Sequence, residues 1–225
     1  MSKINIHHLI KSYGLKGKKT IANNDISLEV SGGSIVWIYG NSGSGKSTFL
    51  NSITGVDKID SGEIFYDRFN LSAASEKEKS YFRLNNCGLV FQFFELIKNQ
   101  NAYTNAGILL KLLHKSKKEI NKKLSELFEM FKMSDFEKKK PSELSGGEKQ
   151  RVAIIRALSN DPLYFFADEI TASLDEAMSN YVYDTIKRRL KLKNGIGIFV
   201  SHDPIIKSYV DEIYKMNEGS LVREY

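Results

Sequence analysis

The stretch Gly40-Asn41-Ser42-Gly43-Ser44-Gly45-Lys46-Ser47-Thr48 gathers glycines, hydroxyls and one lysine at the spacing G-x-x-x-x-G-K-[ST]. Those residue types can hold a row of phosphates. Glycines let consecutive backbone N–H groups converge, and a helix opening at Lys46 adds the positive end of its dipole. Lys46 would reach the β- and γ-phosphates, Ser47 would ligate Mg²⁺, and Thr48 would assist at the α-phosphate. Taken alone, such a match could also be a Gly/Ser turn carrying a surface lysine. The context argues against that: Ile35-Val36-Trp37-Ile38-Tyr39, just upstream, is a nearly all-apolar run, as expected of a buried parallel strand.

Three more groups sit where strands should end. Asp168-Glu169 closes the apolar run Leu163-Tyr164-Phe165-Phe166-Ala167. Acids at a strand's C-terminal edge face the ligand crevice of an open α/β sheet. Asp168 suits the Mg²⁺-holding carboxylate of phosphate-loop enzymes, and Glu169 suits a general base that polarises a water for in-line attack on the γ-phosphate. Gln92 follows Gly88-Leu89-Val90-Phe91 and can touch the metal or the attacking water, although a polar residue after a strand is commonplace. His202, in Ser201-His202-Asp203 after Ile196-Gly197-Ile198-Phe199-Val200, can reach the γ-phosphate or position Glu169.

Leu144-Ser145-Gly146-Gly147-Glu148-Lys149-Gln150-Arg151 reads as a helix start, with Ser145 as N-cap and Glu148 closing a capping box. Two glycines in a first turn weaken a helix, which makes sense if something must approach the backbone closely. A helix N-terminus attracts phosphate, yet the nucleotide already has its loop at residues 40–48. A second phosphate-directed element hints that one ATP is shared between two copies of the chain. Capping and a γ-phosphate contact then compete for the Ser145 hydroxyl.

The elements that must position these groups follow from periodicity. Short strands are expected at 4–7, 26–30, 62–67 and 88–91, and again at 163–167 and 196–200. From about residue 95 to 158 the pattern is helical, with Ile120, Leu124, Leu127, Phe128 and Phe131 on one core-facing stripe. A further helix is expected at about 176–191. Strands alternating with helices imply a mainly parallel α/β sheet interrupted by a helical insertion.

Bulk properties narrow the class. The 225 residues suffice for one sizeable core, or for one core with an inserted subdomain. With 41% hydrophobic and 27% charged residues the composition is ordinary for a globular protein. No apolar run approaches the roughly 18 residues needed to cross a bilayer, and the first seven residues show no signal-peptide core. The single cysteine, Cys87, fits a reducing compartment and a buried structural thiol. Net charge is +6, but Lys115, Lys117, Lys118, Lys122 and Lys123 alternate with Glu119 and Glu126. That pattern suits a solvated helix face, or a weak attraction to an anionic membrane surface, better than a nucleic-acid site, which wants arginines and interleaved aromatics. No nucleic-acid partner is expected.

In this order the motifs carry a resemblance. The chain resembles the ATP-binding subunits of ABC transporters along essentially its whole length. Gly40–Thr48 matches Walker A, Gln92 the Q-loop, Leu144–Arg151 the signature and Leu163–Glu169 Walker B. Ser173-Leu174-Asp175 matches the D-loop, His202 the switch histidine and Lys11-Ser12-Tyr13 the A-loop that sets an aromatic, here Tyr13, against adenine. Shared phrases such as Leu89-Val90-Phe91-Gln92 and Arg151-Val152-Ala153-Ile154 are most like the lipoprotein-release, macrolide-export and cell-division branch. One departure is Ile170-Thr171-Ala172 where the family usually has Pro-Thr-Gly. Losing the proline relaxes φ at that turn, but the carboxylates remain, so activity is expected to survive. The segment 72–86 matches only loosely.

The resemblance implies the P-loop NTPase fold of ABC ATPases. A RecA-like, mainly parallel core would carry an N-terminal antiparallel β-subdomain and an inserted α-helical subdomain. As one domain over 1–225, residues 1–92 and 159–225 would form the core with the β-subdomain, and 93–158 the helical subdomain bearing the signature. It also implies ATP and Mg²⁺ as ligands, with Ser47, Gln92 and Asp168 on the metal. A head-to-tail dimer would place Ser145, Gly146 and Gly147 of one copy on the other's ATP. A permease groove near Phe91–Leu96 would hold the chain at the cytoplasmic face of the membrane. A force-transmitting ATPase without cargo would use the same residues. DNA-repair and translation members would need coiled-coil insertions or a second cassette, which are not seen here.

Overall fold

The structure is a computed structural model and describes residues 2–14 and 19–224. Strands β1 (Lys3–Tyr13), β2 (Thr20–Ser31), β4 (Ser61–Tyr66) and the two-residue β5 (Phe69–Asn70) form an antiparallel sheet in the order β2-β1-β4-β5. A second sheet runs β10-β9-β3-β8-β7-β6. It comprises β3 (Ile35–Tyr39), β6 (Cys87–Val90), β7 (Tyr164–Asp168), β8 (Ile196–Val200), β9 (Glu212–Asn217) and β10 (Ser220–Arg223). Every pairing in it is parallel except the closing β9–β10 hairpin.

The apolar runs of β3, β7 and β8 are continuous because both of their faces are covered. Successive side chains of a strand point to opposite faces. Ile35, Trp37, Phe165, Ala167 and Phe199 therefore enter one core, and Val36, Ile38, Tyr164, Phe166, Ile198 and Val200 the other. The first core is closed by α3 (Ala102–Leu112), α4 (Lys117–Met130), α5 (Gly146–Ser159) and α6 (Glu176–Leu192). The second is closed by α1 (Lys46–Ile53) and the antiparallel sheet. Cys87 lies buried at the start of β6, and burial pushes its thiol up, away from thiolate reactivity.

The expected stripe on α4 is confirmed: Ile120, Leu124, Leu127, Phe128 and the capping Phe131 are all buried. The capping box expected at Ser145 forms, and two more appear, Ser75/Glu78 on α2 (Glu76–Asn86) and Ser116/Glu119 on α4. Beyond the expected elements lie α2, β5, β9 and β10. The first strands run longer than the sequence pattern marks, because β1 and β2 continue through register shifts beyond Leu9.

Candidate active site

Loops at 40–45, 91–101, 169–175 and 201–203 leave β3, β6, β7 and β8 from the same, C-terminal end of the parallel sheet. That end is where ligands bind in open α/β sheets.

The phosphate loop is braced from behind. Gly45 caps α1 with φ +106°, and a Cβ there would stand 2.1 Å from the Ala22 carbonyl oxygen, so only glycine fits. The Asn23 amide nitrogen donates to Gly45 O over 3.0 Å, and Gly219 N, in the β9–β10 turn, donates to Ser44 O over 3.0 Å. Lys46 is only 7% exposed, and its ammonium donates to the carbonyls of Gly40 (2.7 Å) and Asn41 (2.9 Å). Burial pushes that ammonium down, while Glu169 and Asp168 oppose the shift.

Asp168 ends β7 beside Ser47, whose hydroxyl bonds its carboxylate. Burial raises Asp168, and Ser47, Lys46 and His202 pull it back. Glu169 takes φ +52°, rare for a residue with a side chain, and its N–H donates to Val200 O over 2.9 Å. This turn aims its carboxylate at the end of β8, where the His202 N–H donates to Oε1 over 3.1 Å. The His202 ring Nε2 lies 3.8 Å from the same oxygen. Burial also raises Glu169, opposed first by His202 and reinforced by Asp168. A carboxylate whose hold on a proton is strengthened by burial is a competent proton acceptor.

The structure thus joins Lys46, Ser47, Asp168, Glu169 and His202 in one electrostatic cluster. Tyr13 stands at its margin: the hydroxyl donates to Asp57 over 2.8 Å and also bonds Thr48, and the Lys11 ammonium lies 4.6 Å above the ring centroid. Gln92 is exposed two residues beyond Val90. No hydrogen bond or ion pair joins it to Ser47, Asp168 or Glu169 among the described residues.

Ser145, Gly146 and Gly147 take no part in the cluster's hydrogen bonds and ion pairs among the described residues. Among the described residues no hydrogen bond or ion pair links them to 40–48. A Cβ on Gly147 would come within 2.8 Å of Ser173 O, so the close approach these glycines permit is, within one chain, that of Ser173 and Leu174. Ser145 accepts from Glu148 N, and its own N–H donates to Glu148 Oε2 over 2.7 Å.

Several supporting residues were not anticipated from sequence. Asn23 is wholly buried in β2, out of phase with Ile26, Leu28 and Val30, because a register shift between Leu9 and Lys11 reverses the face. Arg156 on α5 donates to the carbonyls of Phe94 and Glu95, both at positive φ, and so fixes the loop after β6. Thr171, Tyr183 and Asp203, the residue after His202, form a chain of side-chain hydrogen bonds. For Tyr183 and Arg156 the only sequence signal was a polar group among the mainly apolar residues of a helix face.

A family model described as ABC transporter matches residues 23–172. The chain is 36% identical over 220 residues to the lipoprotein-releasing system ATP-binding protein LolD of Treponema denticola, covering 96% of each. It is 35% identical over 222 residues to the methionine import ATP-binding protein MetN of Aliivibrio fischeri, covering 98% of this chain and 64% of that one. A dimeric post-hydrolysis structure of the ATP-binding cassette MJ0796, bound to ADP and Pi, superposes with a TM-score of 0.94. The identity there is 30%, over 98% of this chain and 97% of that one.

Proposed function

The chain belongs to the ABC transporter family of ATP-binding subunits, and we propose that two copies close head to tail over two ATP molecules to drive a separate membrane permease. It binds and hydrolyses ATP. The observation that carries the dimer reading is that, within one chain, no hydrogen bond or ion pair among the described residues joins the phosphate loop to the Ser145–Gly147 turn, whose close neighbour is Ser173. Each alone is half of a phosphate site, and the relative in the dimeric MJ0796 structure assembles as a pair.

In this reading Gly40–Thr48 cradles the triphosphate, with Lys46 turning from its own carbonyls to the β- and γ-oxygens, and Tyr13 stacks on adenine. Ser145, Gly146 and Gly147 of the partner close on the γ-phosphate. Glu169 accepts a proton from the water that attacks the γ-phosphorus as the bond to the ADP oxygen breaks. His202 holds Glu169 and the γ-phosphate in register. The donor set fits Mg²⁺: Ser47 hydroxyl and Asp168 carboxylate already pair, and a cation would relieve the burial of that carboxylate. Among the described residues no cluster of three His, Cys, Asp or Glu could hold a metal unaided. Ser47, Asp168 and Gln92 would share the ion with substrate oxygens, where it would neutralise charge on the β- and γ-phosphates.

The permease would dock in the apolar groove of about 1270 Å³ bounded by α2, β6 and α3, which includes Tyr81, Leu89, Phe91, Ile108 and Leu112. Residues 93–158 form the helical subdomain of a single ATP-binding domain. No described helix is long and apolar enough to cross a membrane; in this reading the permease holds the chain at the cytoplasmic face. Relatives named for lipoprotein release and for methionine import are nearly equally similar; cargo is set by the permease. Affinity purification of the tagged subunit from its native membranes tests this reading. Recovery of an integral membrane partner with few spans and a large extracytoplasmic domain supports export or extraction, and absence of any membrane partner contradicts it.

A further inference from the structure

The segment that carries His202 is held by its neighbours as well as by the His202 N–H. On one side, Ser201 is wholly buried; its N–H donates to Ile38 O over 3.3 Å, and the Trp37 indole donates to its carbonyl over 3.0 Å. On the other side, the Asp203 carboxylate caps the 3₁₀ turn Pro204–Tyr209 by accepting from Ile205 N over 3.0 Å. Its second oxygen accepts from the Thr171 hydroxyl over 2.8 Å. The Thr171 hydroxyl also lies 2.9 Å from the Tyr183 hydroxyl.

Proton counting gives this chain a direction. An ionised carboxylate can only accept, and a threonine hydroxyl has one hydrogen. Thr171 therefore donates to Asp203, and Tyr183 must donate to Thr171. Burial pushes the Tyr183 phenol up to about 12, so it keeps its proton throughout the neutral range. Thr171 is 4% exposed and Tyr183 1%, so water cannot replace a lost partner. Thr171 lies two residues past Glu169, and Asp203 one past His202. These bonds therefore tie the loop after β7 to the loop after β8 from a base on α6.

We infer that Tyr183 and Thr171 are positioning residues, a buried hydroxyl relay that sets His202 against Glu169 through Asp203. The inference rests on the proposed roles of Glu169 and His202. Neither relay hydroxyl touches substrate.

The test uses the full chain and its steady-state ATP turnover. Tyr183→Phe removes the hydroxyl but keeps the ring that packs 5.9 Å from Phe199 and 5.7 Å from Tyr209. Thr171→Val breaks the relay at its middle, and Thr171→Ser preserves it. The relay requires kcat to fall about fivefold in Tyr183→Phe, the factor one ordinary hydrogen bond is worth. The loss should be larger in Thr171→Val, which leaves Asp203 short of a donor, and KM for ATP should hold. Thr171→Ser should restore most of the rate. In proton NMR, the His202 ring resonances should shift in Tyr183→Phe while those of His7, His8 and His114 stay in place. Unchanged kcat, or an unmoved His202 signal, would overturn the relay. So would equal losses in Thr171→Ser and Thr171→Val. His202→Ala is measured alongside: full turnover there defeats the role of His202 itself, whereas a slow His202→Ala beside an unaffected Tyr183→Phe defeats only the relay.

Discussion

The His202 N–H donates to Glu169 Oε1 over 3.1 Å while the ring Nε2 of the same histidine stands 3.8 Å from that oxygen. One residue thus fixes the carboxylate by its backbone and biases it electrostatically by its side chain. Glu169 needs both. Its side chain is only 15% exposed against 55% for His202, so the carboxylate sits at the inner edge of a site whose histidine reaches outward. The positive φ of Glu169 keeps the carboxylate there, one residue past Asp168, so that adjacent acids serve different ends.

Glu169→Gln should keep nucleotide affinity, because Lys46 and the loop amides are untouched, and should lose turnover by about 10²–10⁴-fold, the usual contribution of a general base. Radiolabelled ATP hydrolysis beside equilibrium ATP binding separates the two effects. Full-rate hydrolysis by the variant rejects Glu169 as the base.

The same substitution has a signature in stability. Burial raises the folded pKa of Glu169 above its unfolded value, so the native state binds this proton more tightly. The stability that the proton provides is complete below the unfolded carboxylate pKa and is lost as pH rises through the raised folded one. Glu169→Gln does not suffer that loss. Its nucleotide-free Tm should exceed that of the parent at neutral pH, and the gap should close on acidification below about pH 4.3, the ordinary glutamate value. A gap independent of pH, or one of opposite sign, contradicts the assignment of burial as the dominant influence.

At the signature turn two variants divide capping from contact. Ser145→Ala removes a cap worth about 1 kcal/mol and, if the hydroxyl also meets the γ-phosphate, lowers ATP-dependent dimerisation and hydrolysis together. Gly147→Ala drives a Cβ to 2.8 Å from Ser173 O and must displace the segment 173–175. Overpacking of this kind should reduce turnover about tenfold and leave ATP affinity of the single chain within about twofold. Sedimentation with and without ATP, beside hydrolysis rates, reads both; unchanged dimerisation and hydrolysis in Ser145→Ala removes the phosphate contact.

Much of this site could be read from sequence because its signals are local. A glycine-rich turn after five apolar residues, two acids at the end of β7 and the box Ser145-x-x-Glu148 each depend on neighbours within a few positions. What escaped depends on distant chain. Asn23 falls in the wrong phase for β2 until the shift opposite Lys11 is known. α2 carries few apolar residues among its charges, so only its cap at Ser75 and Glu78 was a usable signal. β9 and β10 matter because Gly219 reaches Ser44 in the phosphate loop, a contact between residues far apart in the chain. Tyr183 meets Thr171, and through it Asp203, only once α6 lies against β8.

The mass in solution of Glu169→Gln with and without ATP, by light scattering after gel filtration, tests the shared site most directly. A site split between Gly40–Thr48 of one copy and Ser145–Gly147 of another requires the variant to run as a monomer without nucleotide and as a stable dimer with ATP. Adding Lys46→Ala should abolish that dimer by weakening nucleotide binding. A species that stays monomeric at saturating ATP, or a dimer that persists unchanged when Lys46 is removed, would contradict the shared site.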